Sequence, residues 1–159
     1  MKERLRGKWG SLPRWARWVL GVYLLGFAEG ACAHISDLVR GGIHAYAAFP
    51  HAFIRVFFVC LVVLDPLVVV LVGLVRRSGI WWGSGVMTLD VAANWISNWP
   101  SVQADPSQLL QPVGLTAITL FGLFVLVSCL PLLRAMKSAD ESASRMEDPR
   151  SGLDATRVE

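Results

Sequence analysis

The sequence predicts an all-α integral membrane protein, a four-helix bundle with both termini in the cytoplasm, and three observations predict it. Of the 159 residues 54% are hydrophobic and 17% charged, with a mean hydropathy of +0.50, a balance suited to lipid rather than to a water-facing surface. Four segments come near the ~20 apolar residues that cross ~30 Å of hydrocarbon at ~1.5 Å per residue. The basic residues cluster so that they fall on one side of the membrane only if all four segments span it.

Residues 1–14 form a basic cytoplasmic segment carrying Lys2, Arg4, Arg6, Lys8 and Arg14. The four-span domain covers 15–134. Its first span runs from Trp15 to Leu38, with Arg17 near its inner end. The same stretch, with Ala31-x-Ala33 after an apolar run, also has the outline of a cleaved signal peptide. Glu29 just before the cut and the apolar character beyond it favour an uncleaved helix. The second span, Phe53 to Val75, is the most apolar and contains Asp65-Pro66; the proline removes a helix hydrogen bond and exposes a backbone carbonyl. A basic turn, Arg76-Arg77, leads into the third span, Ile80 to Asn98. The loop from Asn98 to Gln111 has neither Lys nor Arg, and the fourth span, Pro112 to Leu133, ends at Arg134 and Lys137. Arg40 and Arg55 fall on the outer side, outnumbered. Trp15, Trp18, Trp81 and Trp82 mark the inner interface and Trp95 and Trp99 the outer one, where indole rings favour the headgroup level. Residues 135–159, polar and poor in large apolar side chains, are expected to form a disordered cytoplasmic tail.

The acids inside the spans carry the functional signal. Glu29 lies twelve residues past Arg17, Asp90 ten past Ile80 and Asp65 eleven before Arg76, which places them ~18, ~15 and ~16 Å from the inner side. Three carboxyl groups on three helices thus share one depth, where a charge is costly unless it faces the protein interior or water. Asn94 lies one helical turn after Asp90, with Ser97 further along that face, and His34 and Asp37 fall on roughly the side of Glu29. No Lys or Arg lies within the hydrocarbon to neutralise these acids, so each must be protonated, hydrogen-bonded or paired with a bound cation. The expected ligand site is therefore Glu29, His34, Asp37, Asp65, Asp90 and Asn94, in a cavity opening outward. His44 and His51, in the outer loop, are read as solvated.

Other classes find less support. Cys32, Cys60 and Cys129 are far apart and lack metal-ligand spacing, so no metal site is expected. No Walker loop, dinucleotide-binding glycine pattern, HExxH or GxSxG occurs, and no cofactor is expected. The net charge of +3 reads as membrane orientation and not as a nucleic-acid surface. No internal repeat suggests a duplicated transporter. Gly26-x-x-x-Gly30 and Gly79-x-x-x-Gly83 mark helix contact faces, within the chain or in a homo-oligomer.

The opening WVLGVYLLG of the first span, Asp37-Leu38 near its end, FVCLVVLDP in the second span and RRSGIWW entering the third resemble the EXPERA group, the sterol-isomerase and sigma-2-receptor-like four-helix membrane proteins. The resemblance covers Trp15 to Leu133 in topology and short pieces in residue identity. It implies a sterol or hydrophobic amine bound in an intramembrane cavity, with Asp37 meeting the ligand cation. Where the family places a glutamate just after the second-span cysteine this chain has Leu61, a departure that speaks against isomerase activity.

The expectation is a multi-pass protein of the cell membrane, by preference a bacterial inner membrane, that binds a small hydrophobic or amine-bearing ligand and is non-enzymatic or weakly catalytic. The alternatives are an accessory subunit, whose acids bond to helices of a membrane-protein partner, and an intramembrane acid/base enzyme of isomerase type.

Overall fold

The computed structural model describes residues 2–49, 51–111 and 114–147. Among these the chain is helical throughout, with no strand: α1 Lys2–Ser11, α2 Arg14–Gly41, α3 Ala52–Gly73, α4 Arg77–Ala104 and α5 Leu115–Glu147, with short 3-10 turns at Gly42–His44 and Pro106–Leu110. The helices pack in a ring, α2 on α3, α3 on α4, α4 on α5, with a thinner seam between α5 and α2. One end of the bundle carries α1, the α3–α4 turn and the end of α5. The other carries the two longer loops.

Three stretches are long and apolar enough to cross a membrane: Arg14–His44, Ala52–Gly73 and Leu115–Ser142. α4 is not among them; of its polar residues, Ser84, Asp90, Asn94 and Ser97 lie on its packed side. The helices also run past the expected ends. α4 continues to Ala104 through Pro100, and α5 passes Leu133 to reach Glu147, so the start of the segment expected to be disordered is helical. An i,i+4 pair, Lys137–Glu141, and an ion pair from Arg77 to Asp140 support that extension. The remainder of the expected tail, 148–159, and the first two residues of the expected fourth span, Pro112 and Val113, lie outside the described residues.

Local chemistry explains the helix ends. Pro13, extended at φ −61°, precedes α2, and its carbonyl accepts from the Arg17 N–H at 3.2 Å. α2 stops at Gly42, whose φ of 59° lies in the left-handed region that glycine alone enters without cost. The α3–α4 turn uses the same device with the wrong residue: Val75 stands at φ 52° while the Arg76 N–H reaches back to the Leu71 carbonyl at 3.0 Å. The Val75 side chain is buried, and that burial offsets the backbone strain. Gly79 makes the turn possible, since a methyl there would stand 2.8 Å from the backbone of Leu71 and Val72.

The interior is continuous at the end carrying α1 and the α3–α4 turn. Leu20 and Tyr23 of α2, Val68 and Val72 of α3, Ile80 of α4 and Leu132 of α5 are essentially fully buried. α1 is fastened across this end by the Trp9 indole N–H, which donates to the Gly73 carbonyl at 3.0 Å and so satisfies an acceptor at the end of α3. The α2–α5 seam is closed here by the Tyr23 hydroxyl, which donates to the Val125 carbonyl at 2.7 Å, and by edge-on ring contacts of Phe27 with Phe121 and Tyr23 with Phe124. Beyond Phe27 and Phe121, toward the two loops, this packing gives way to a cavity.

Candidate functional site

Asp65 lies in the middle of the buried stripe of α3. Ile54, Phe58, Leu61, Asp65, Val68 and Val72 recur at intervals of three and four and form one inward face, so the carboxylate occupies a core position and is only 4% exposed. α4 does the same with Asp90, 7% exposed among Val86, Met87 and Ala93. These are two of the three buried polar side chains among the described residues; Ser84 is the third.

Both acids border a single cavity of about 700 Å³ between α2, α3, α4, α5 and the loops. Its lining includes Glu29, His34, Asp37, Asp65, Asp90 and Asn94, all six residues singled out from the sequence. Ser97, expected on the same face as Asp90, is not part of the lining; its hydroxyl is buried without a hydrogen-bond partner. Glu29 and Asp37 line the cavity although both are exposed residues.

The four carboxylates are held differently. Asn94 donates from Nδ2 to Asp90 Oδ1 at 2.9 Å and to the Asp90 carbonyl at 3.0 Å, which locks both side chains on one turn of α4. Asn98 continues the ladder with a bond to the Asn94 carbonyl at 2.8 Å. Asp37 accepts from the Tyr46 hydroxyl at 3.1 Å, and His34 Nδ1 lies 2.9 Å from the same hydroxyl. Since a phenol has one proton and Tyr46 gives it to Asp37, the Nδ1–H of His34 is the donor to the Tyr46 oxygen. Burial, and after it the adjacent Asp37 charge, push the Tyr46 phenol above its ordinary pKa, so it remains the donor at neutral pH. Asp65 has no hydrogen bond and no ion pair with protein groups among the described residues. Asp90 and Glu29 lie within electrostatic reach of it.

Aromatic rings make up much of the remaining wall. Phe58 packs against Tyr46 at 5.2 Å and Phe49 at 5.0 Å between ring centroids, and against the His34 ring at 5.7 Å. Phe27 and Phe121 close the deep end. Among the described residues no Lys or Arg lines the cavity, and no group of three His, Cys, Asp or Glu side chains has metal-binding geometry. A space of this size, with anionic groups and ring faces and no built-in cation, suits an organic cation that uses carboxylates and ring quadrupoles together.

Sequence reading missed Tyr46, Phe49, Asn98, Gln108 and Gln111, all in the lining. The first two belong to the loop after α2, which folds back over the cavity mouth. The aromatic pair in an otherwise small-residue loop, AYAAF, was the available signal. The glycine pair on α2 also has a more specific use than helix contact. Gly26 makes room for the Phe121 ring and Gly30 for the Asp65 carboxylate. Cys32 and Cys60 are on the outside of the bundle, whereas Cys129 is in the core.

Neither a protein-family model, nor a curated protein, nor a solved structure matches the chain.

Proposed function

We propose that this chain is a four-span protein of the cell membrane, both termini cytoplasmic, that holds a small hydrophobic or amine-bearing ligand in the cavity between its helices. The observation that carries the proposal is Asp65, a carboxylate buried at the core of an apolar helix, open to the cavity and without a protein partner among the described residues. A carboxylate so placed is retained at a cost of several kcal/mol unless it is protonated or something pairs with it. An ammonium group is the partner that the other acids and the ring faces of the cavity would also favour.

The fourth span rests on the outward face of α4. Trp81, Trp82, Leu89, Ile96 and Trp99 are exposed at helical spacing, and the tryptophans at its two ends are about 27 Å apart along the axis. That length fits the hydrocarbon thickness. The basic residues Arg14, Arg17, Arg76, Arg77, Arg134 and Lys137 surround the bundle end that carries α1 and the α3–α4 turn, which supports a cytoplasmic assignment for it. A bacterial inner membrane suits this layout, and the position of Asp37 beside the cavity is compatible with the EXPERA resemblance.

Glu29 is the one observation that favours the alternative, an accessory subunit that offers an acid to a partner helix, because it is exposed on α2. A thermal-stability screen of the detergent-purified protein against hydrophobic amines and sterols separates the two readings. A bound ligand stabilises by about 2.7 kcal/mol at a hundredfold excess over Kd. A shift that disappears in Asp65→Asn or Asp90→Asn supports the cavity; no shift with any compound, and co-purification of a partner that Glu29→Gln releases, supports the subunit.

A further inference from the structure

The cavity has two acidic poles. Gly30 and Asp37 are seven residues apart on α2, two turns, so they lie on the same face about 10 Å from each other along the axis. Asp65 rests against Gly30, where a methyl group would stand 2.8 Å from Oδ2, and Glu29 is adjacent in sequence. Asp37, with Tyr46 and His34 beside it, forms the second pole at the mouth. Between the poles the wall is aromatic, with Phe58 facing the His34 and Tyr46 rings.

The second pole decides what shape of ligand fits. A lipid-like amine with its ammonium at Asp65 would send its apolar tail toward Asp37 and the carboxamides of Asn98, Gln108 and Gln111, which would lose their hydration to no partner. A ligand polar at both ends avoids that loss. Asp65 itself, 4% exposed, opening onto the cavity and without a protein hydrogen bond among the described residues, leaves room for a group supplied from outside the chain.

Resting on the reading of this cavity as an amine site, we infer that its ligand is a two-headed cation, an α,ω-diamine or a polyamine segment. One ammonium meets Asp65 and Asp90, the other meets Asp37, and an apolar linker of about 10 Å lies along the rings.

The test is a thermal-shift and calorimetric titration of the full-length protein in detergent with α,ω-diaminoalkanes from butane to dodecane, each beside the monoamine of equal length. The expected result is a diamine optimum between hexane and decane, bound about tenfold more tightly than its matched monoamine, one charge pair's worth of discrimination. Asp37→Asn, which keeps an acceptor for the Tyr46 hydroxyl, should bring that ratio toward one, and Asp65→Asn should remove binding of both series. Diamines and monoamines of equal affinity at every length, or a ratio indifferent to Asp37→Asn, would overturn the two-headed ligand and leave the amine site standing. If no amine of either series binds, the amine site falls and this inference falls with it.

Discussion

Gly30 and Asp65 form a fitted pair across the α2–α3 interface: the glycine leaves the space that the buried carboxylate fills, with 2.8 Å between a methyl at the one and Oδ2 of the other. The close atom is the terminal oxygen of Asp65, which borders the cavity and can turn into it, whereas the helical backbone of Gly30 is fixed.

Gly30→Ala should therefore turn the Asp65 carboxylate away from its position, at a cost of about 1 kcal/mol or less because the side chain has the cavity to turn into. Amine-dependent stabilisation should be reduced while the far-UV helical signal is retained. Gly21→Ala on the same helix, where nothing lies within 4 Å, is the control and should be neutral or stabilising by about 0.5 kcal/mol. Equal effects of the two substitutions would disprove the fit.

Asp65→Asn removes a charge without breaking a bond to the protein. In the absence of ligand it should raise stability by about 1 kcal/mol, because the uncharged amide is easier to bury and takes nothing from a partner. A fall in Tm for the ligand-free variant would mean that the carboxylate has a structural partner.

Tyr23→Phe deletes the hydroxyl that donates to Val125 O and sits 3.1 Å from Ser128 Oγ, while keeping the ring contacts with Phe27 and Phe124. The expected cost is about 1 kcal/mol, measured by thermal unfolding in detergent. Ligand affinity should change little, since this bond closes the seam below the cavity and does not line it.

Tyr46→Phe leaves the aromatic stack with Phe49 and Phe58 in place but disconnects Asp37 from His34. Amide hydrogen exchange over residues 42–49 should accelerate about fivefold, the equivalent of ~1 kcal/mol of local stability. Unchanged exchange would show that ring packing alone holds the loop.

Single cysteines at Ser78 and Ser101, both exposed at opposite ends of α4, test the fourth span in a background from which Cys32, Cys60 and Cys129 have been removed. An impermeant thiol reagent applied to oriented vesicles should label one from each side. Labelling of both from the same side would rule out α4 as a span.

Most of the helical layout is legible in the sequence because it depends on local quantities. Apolar length, charge spacing and the constant rise of a helix are enough to mark α2, α3 and α5 and to assign Glu29, Asp65 and Asp90 a common depth. The helix ends are less legible. α5 runs on to Glu147 because contacts such as Arg77–Asp140, remote in sequence, support a segment whose composition alone reads as disordered. α4 is a long helix although it is not among the stretches apolar enough by composition to span, because part of its polar content has an interior to face.

What the sequence by itself determined about this protein is which residues are costly in an apolar environment and how far along each helix they lie. Only the tertiary structure decided where they point. The rotation of α3 that buries Asp65 is set by Ile54, Phe58, Leu61, Val68 and Val72 packing against neighbouring helices, and the rotation of α4 by Val86, Met87 and Ala93. The return of Tyr46 to Asp37 and His34 depends on its stacking with Phe58, a partner on another helix. Depth follows from counting along one helix, whereas direction follows from the mutual fit of several, and that fit exists only once the chain has folded.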